Sequence, residues 1–274
     1  MLHMVIPLED TFSDVISKSQ RGRKLSDADL ASLAGVSEPD LAEARNGVFN
    51  PLVIRKLAPV LALNTEALVA LGSNIYQPAQ ISLHGLEIFN TPFDNMTVNS
   101  YLVWDASSKE AVAFDTGADA TAMLDFLGRH GLSLKLLLLT HTHLDHVFEL
   151  DRLVEQTRAP AFAGDREPAL KGARPFAAGK QFQAGSLAIE TRLTWGHSQG
   201  GITYLVHGLE KPLAVVGDAM FAGSMGGGGV SYTDALRTNR EEIMTLPDAT
   251  VIAPGHGPLT TVGEQKKSNP FLAL

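Results

Sequence analysis

The 274-residue sequence predicts an α+β fold, with a small all-α domain over residues 1–75 and a strand-rich domain over residues 76–274. Three observations carry that expectation. Apolar residues recur at helical spacing from residue 11 to residue 71, then alternate from residue 81 onward. Between the two patterns lies SNIYQPAQ, residues 73–80, with the composition of a linker. Residues 134–139, LKLLLL, form a run short and apolar enough for a strand buried on both faces. Strand-rich blocks with helices between them suggest two sheets with helices outside.

The elements follow in order. Residues 1–10 are expected to form a loose arm. Phe12, Val15 and Ile16 share one helical face, and Gly22 can end that helix. Ser26 caps a helix carrying Leu30 and Leu33, which turns at Gly35. Ser37 caps the next, with Pro39 in its first turn, Leu41 and Ala44 inward and Asn46-Gly47 as its stop. Residues 52–63 and 65–71 predict two more short helices. ISLHGLEIF, TVNSYLVWD and EAVAFD alternate as strands. A helix over 118–130, closed by Gly131, precedes the apolar strand, and a helix over 147–157 follows it. Further strands are expected near 160–163, 187–193, 201–206, 212–217 and 249–253, with a helix over 232–246.

Composition bounds the function. A chain with 45% hydrophobic and 19% charged residues is an ordinary globular one. Its formal net charge of −8 argues against overall attraction to nucleic acid or an anionic membrane. With no cysteine, disulfides are excluded and any metal must be held by N and O ligands. The start, MLHMVIPLEDTFSD, carries acids and lacks the pattern of a signal peptide, and no stretch is long enough to span a membrane, so a cytoplasmic protein is expected.

The predicted buried strand ends in THTHLDH, which places His141, His143, Asp145 and His146 within six residues. Such a density of titratable side chains beside a core strand needs partners, and histidine and aspartate are metal ligands. HxHxDH after a hydrophobic strand resembles the signature of the metallo-β-lactamase superfamily. The remaining motifs of that family stand in its order: Asp115-Thr116-Gly117 upstream, then Gly196-His197-Ser198, Gly217-Asp218 and Pro254-Gly255-His256-Gly257. The match covers residues 80–274. The resemblance sharpens the fold to an αββα metallo-β-lactamase sandwich with its metal site at one edge of the sheets.

Seven protein ligands are too many for one ion that keeps a place for water, so the count favours two divalent ions and one bridging carboxylate. By resemblance to the dinuclear members, His141, His143 and His197 would hold the first, Asp145, His146 and His256 the second, and Asp218 would bridge them. Two such ions roughly 3.5–4 Å apart lower the pKa of a shared water, whose hydroxide attacks the substrate. Asp145 and Asp218 are then the catalytic carboxylates, with Asp145 orienting the hydroxide. Asp115 either orients a ligating imidazole or caps its own turn. Zinc is the first expectation, and iron and manganese also tolerate these donors. His3, His84, His130 and His207 belong to no cluster. Trp195 and Tyr232 are expected to pack rather than contact substrate.

The C-terminal part, with Gly255 to Pro258, Thr260-Thr261, Glu264 and Asn269-Pro270-Phe271, is similar to the glyoxalase II-like branch of that superfamily. This implies hydrolysis of a thioester of the acyl-glutathione kind; a thiolate of pKa near ~8.5 leaves without a strong general acid. The chain departs from the branch at Ser224-Met225 and the glycines 226–229, where a glycine-arginine-threonine-aspartate run is usual, and it lacks the longer glutathione-binding C-terminal extension. The glycines are expected to form a mobile flap or a plain loop. The other readings are a mononuclear-iron oxygenase like the persulfide dioxygenases and a ligand-sensing regulator. The latter arises because residues 26–46 resemble the phage-repressor type of helix-turn-helix, with Ala31, Gly35 and Leu41 in that motif's places. The candidate recognition helix carries Glu38, Asp40 and Glu43 against Arg45 alone, and residues 21–72 hold six basic and six acidic residues. DNA is therefore not the expected partner, and a helical cap or a homo-oligomer contact is left open for residues 1–75.

Overall fold

The computed structural model describes residues 6–273. Five helices come first: α1 (Phe12–Gly22), α2 (Asp27–Ala34), α3 (Glu38–Arg45), α4 (Pro51–Val60) and α5 (Thr65–Gly72). Each starts where a side chain accepts from the first turn, from Thr11, Ser26, Ser37, Asn50 and Asn64 respectively. Gly35 closes α2 in the left-handed conformation that a residue without Cβ adopts freely.

The remainder comprises β1 (Leu86–Phe93), β2 (Met96–Trp104), β3 (Glu110–Phe114), α6 (Thr121–His130), β4 (Ser133–Leu138), α7 (Leu144–Val147), α8 (Leu150–Thr157), β5 (Ala161–Gly164), β6 (Ala173–Phe176), β7 (Gln181–Ala184), β8 (Leu187–Leu193), β9 (Ile202–His207), β10 (Leu213–Gly217), α9 (Tyr232–Thr238), β11 (Val251–Pro254), β12 (Thr260–Thr261) and α10 (Val262–Ser268). Two six-stranded sheets result, ordered β1-β2-β3-β4-β5-β6 and β12-β11-β10-β9-β8-β7. The first is antiparallel at β1-β2-β3 and parallel from β3 to β6. In the second, β10 and β11 are parallel and the other pairs antiparallel.

Side chains from the facing sheets, among them Tyr101, Val112, Phe114, Leu138, Ile189, Tyr204, Val206 and Val215, form the central core. A second core lies between the first sheet and α6 and α8, with Leu137, Phe126 and Leu153. The third joins α1–α5 to the outer face of the second sheet. There Phe12, Ile16, Leu57 and Leu71 belong to one cluster with Leu205, Val216, Met220, Ile252 and Phe271. The αββα layering is therefore flanked on its second side by the N-terminal helices. No described helix is long and apolar enough to cross a membrane.

Five local expectations are corrected. Residues 6–10 are not a loose arm: Asp10 is buried and pairs with Lys18 and Ser224. Residues 1–5 lie outside the described residues. The linker is docked through buried Tyr76, whose hydroxyl accepts from Gln265 Nε2 at 2.9 Å. The helix expected over 147–157 is two pieces, because Thr116 accepts from Glu149 N and donates to His146 O at the corner between them. The helix over 232–246 gives way after Thr238 to a π-turn, Asn239–Ile243, in which Met244 N reaches Asn239 O and Asn239 Nδ2 donates to Ala219 O. Finally, β6 and β7 were not expected; both are four-residue strands at sheet ends with only one or two buried residues each.

Candidate metal centre

The site lies beyond the C-terminal ends of β4, β10 and β11. The loop after β4 carries His141 and His143, and α7 carries Asp145 and His146. His197 stands on the loop after β8, Asp218 follows β10 directly, and His256 follows β11. All seven ligand candidates are brought together. Ligand atoms of His141, His143, His197 and Asp218 lie within 4.8 Å of one another, and so do those of Asp145, His146 and His256. Asp218 reaches both groups. Its Oδ2 is 3.3 Å from His197 Nε2 and 3.5 Å from His256 Nε2, and its Oδ1 is 3.3 Å from His146 Nε2.

Buried hydrogen bonds aim these side chains. Asp115 accepts from Thr140 N and Thr140 Oγ1, each at 2.7 Å, and from His146 Nδ1 at 2.9 Å. It therefore both ties down its turn and orients an imidazole. Asp115 holds φ at +56°, a left-handed conformation that costs a non-glycine residue about 1–3 kcal/mol. His256 Nδ1 donates to Thr97 O at 2.6 Å, and Asn99 Nδ2 donates to Pro254 O and Gly257 O, which pins the loop around His256. His197 Nδ1 donates to Gly227 O at 3.0 Å, so the glycine run is part of the site's wiring. Two glycines leave room that no other residue would: a Cβ on Gly255 would sit 2.1 Å from Asp218 Oδ1, and one on Gly226 1.9 Å from Asp218 O.

Sequence reading missed Glu167. This buried carboxylate accepts from Thr142 N and Thr142 Oγ1 and from Gly200 N, joining the His141–His143 loop to the loop of His197. No local motif marks it, since its partners lie 25 and 33 residues away. The histidines outside the cluster are accounted for elsewhere: His130 stacks on Phe126, His84 faces Trp104, and His207 pairs with Glu190. His3 lies outside the described residues. Tyr232 packs on Phe271 and Gly22 at the start of α9.

The donor set fits divalent cations. His143 Nδ1 lies 3.0 Å from both His141 Nε2 and His197 Nε2, an arrangement of lone pairs that a shared cation relieves. His146 Nε2 and Asp218 Oδ1 are buried with no hydrogen-bond partner among the described residues, a costly condition unless they are ligands. The electrostatics agree. Burial, then neighbouring His146, hold His141 well below its ordinary pKa, in the neutral form that binds metal. Burial would raise Asp218, yet His146 and His256 outweigh it and hold the carboxylate well below its usual range. Burial would also lower His146 and His256. Asp218, with Asp115 for His146 and Asp145 for His256, pushes them instead to about 10 and about 11. A positive charge is strongly favoured at this point of the molecule.

The family follows from the fold, the edge-of-sheet cluster and a sequence comparison: the model of the metallo-β-lactamase superfamily matches residues 94–256. The chain belongs to the metallo-β-lactamase superfamily. Its His/Asp cluster is a divalent-metal site of that superfamily, and α1–α5 lie outside the matched residues. Among relatives, the "Probable metallo-hydrolase YqgX" of Bacillus subtilis is 29% identical over 209 residues, covering 66% of this chain and 95% of that one. The "Hydroxyacylglutathione hydrolase GloC" of Haemophilus influenzae is 31% identical over 205 residues, covering 64% and 92%. Among solved structures, that of the BLEG-1 B3 metallo-β-lactamase superposes with a TM-score of 0.57 at 30% identity, covering 69% of this chain and all of that one. The superfamily is thereby shown, and the similarity to GloC supports its glyoxalase II-like branch.

Proposed function

We propose that this metallohydrolase is dinuclear and cleaves a thioester or related small ester. The observation that carries the reading is Asp218, whose carboxylate reaches both ligand groups, Oδ2 lying near His197 and His256 and Oδ1 near His146, so that a single carboxylate can serve two ions. His141, His143 and His197 would hold one ion, and Asp145, His146 and His256 the other. Bound divalent ions supply Lewis acidity and lower the pKa of a water, so that hydroxide is available near neutral pH. Asp145 is the less buried of the two carboxylates, with its Oδ2 3.3 Å from His256 Nε2, and it orients the attacking water. Asp115, Glu167 and Gly227 O hold the imidazoles and their loops still while charge develops on the substrate. The chain presents no obvious strong general acid here, which suits a thiolate leaving group. Exposed Leu144 and Phe148, the latter packed on Phe93, offer an apolar rim to an acyl group.

The hydroxyacylglutathione hydrolase relative and the Gly255–Pro258 and Asn269-Pro270-Phe271 motifs support a thioester substrate. Zinc remains the first expectation for the metal, with iron and manganese compatible with the same donors. The oxygenase reading is less economical, because a mononuclear centre leaves the Asp145-His146-His256 group without a task. DNA binding is also disfavoured: α3 exposes Glu38 and Glu43, and Arg45 is paired with Asp27.

Elemental analysis of protein purified without added metal, run beside S-lactoylglutathione hydrolysis, tests the proposal. The expected result is about two ions per chain with turnover. His256→Ala should then lose one ion and most of the rate. A single iron per chain would overturn the dinuclear mechanism, and two ions without turnover would move the substrate elsewhere.

A further inference from the structure

We propose that Arg21, on α1, is the anion-recognising residue of the substrate cavity, so that the enzyme selects esters and thioesters carrying a carboxylate. The inference rests on the hydrolase reading above and adds to it the substrate's charge and the element that reads it.

A cavity of about 580 Å³ opens beside the metal centre. Ligand candidates His143 and His197 line it, Arg21 and Lys18 of α1 stand across from them, and the glycine run with Val230 completes its wall. No carboxylate among the described residues lines it. In a chain of net charge −8, a cavity bounded by an arginine, an ion-paired lysine and two metal-site histidines is suited to an anion.

The two cations differ in what is left for a ligand. Lys18 is occupied, its ammonium pairing with Asp10 and donating to Met225 O at 2.9 Å. Arg21 is exposed, and its guanidinium has no hydrogen-bond or ion-pair partner among the described residues. A planar guanidinium fork matches a carboxylate with two parallel hydrogen bonds.

The position of Arg21 relative to the metal centre is set by packing on both sides of the glycine run. Before the run, Met225 O accepts from Lys18. After it, the Tyr232 hydroxyl and Ser19 Oγ lie 3.2 Å apart, and the Tyr232 ring is so close to Gly22 that a Cβ there would be 2.2 Å from Tyr232 Cγ. The same run supplies Gly227 O to His197. The helical segment and the metal site thus share one wall, and α1 provides the cation that the arginine-free glycine run does not.

The test compares carboxylate probes with their amides on the full-length, metal-loaded protein. Mercaptopropionate and mercaptohexanoate, with the corresponding amides, are titrated by calorimetry, and the S-acetyl thioesters of the same four thiols are assayed for hydrolysis. Wild type should prefer the carboxylate at one chain length or both by about tenfold. Arg21→Ala should bring that ratio close to one, Arg21→Lys should restore part of it, and Arg23→Ala, two residues along on a side chain that lines a different cavity, should leave the ratio as in wild type. An equal ratio in wild type and Arg21→Ala, or no preference in wild type, overturns the proposal. A binding preference that depends on Arg21 without thioester turnover would uphold Arg21 and remove the hydrolase reading. Turnover without a preference would do the reverse.

Discussion

Asp115 shows how much of a metal site is decided by a residue that touches no metal. One oxygen of its carboxylate accepts from both Thr140 Oγ1 and His146 Nδ1, while the other takes Thr140 N. Asp115→Asn puts an NH₂ where one of these donors points. Metal affinity should fall by about 10–100-fold with the fold retained, measured by competition with a chromophoric chelator. Unchanged affinity would mean that Thr140 alone orients the loop. Gly255 makes the complementary point by steric exclusion. A methyl group placed 2.1 Å from Asp218 Oδ1 must displace either the carboxylate or the loop of His256. Gly255→Ala should therefore purify with fewer ions per chain than wild type, and a wild-type metal content would show that the loop yields at no cost.

Between elements, the turns at the far edge of the two sheets are stitched by charge. Asp105, after β2, accepts from Ser107 N and Ser108 Oγ in its own turn and from Ser186 N in the turn between β7 and β8. These hydrogen bonds, the one from Ser107 N first, hold its pKa at about 2. A carboxyl depressed in the folded state adds stability above the unfolded pKa of roughly 4 and loses it as pH falls towards about 2. Asp105→Asn should lower the melting temperature at neutral pH by a small amount, because the group is exposed, and should flatten the acid limb of the melting curve between those two values. An acid limb identical to wild type would place the acid sensitivity elsewhere. The elements that carry the site depend more on buried polar contacts: Glu167 joins two ligand loops, and Asn99 secures a third.

For the whole molecule, the issue is what residues 1–75 do. Their helices share one core with β9, β10, β11 and the C-terminal residues through Leu205, Val216, Ile252 and Phe271. Removal of residues 1–75 would expose that apolar face to water. The truncated protein should be poorly soluble or melt well below the full chain, as followed by size-exclusion chromatography and thermal denaturation. A soluble truncated protein with the original melting temperature would show that the helices are an independent appendage. The resemblance to a helix-turn-helix does not by itself carry a role. Two capped helices and a glycine turn are a local solution to helix packing, and here α2 and α3 bury Leu30 and Leu41 in the shared core while α3 exposes Glu38 and Glu43.

Much of this was determined by the sequence alone. Alternation, capping residues and turn glycines are local chemistry, so α1–α5, the apolar strand β4 and the order of the site motifs were legible without coordinates. His141, His143, Asp145 and His146 were legible from their density at the end of a core strand, and His197, Asp218 and His256 from the motif order that the family resemblance implies. Only the tertiary structure decided the rest, because it depends on groups distant in sequence. Glu167 acquires its role from partners in two separate loops, residues 6–10 are ordered by Lys18 and Ser224, and Arg21 matters only because α1 is packed across the glycine run from His143 and His197. A pattern within one segment reports that segment's own conformation, whereas a cavity is made by the surfaces that several segments leave between them once they have packed.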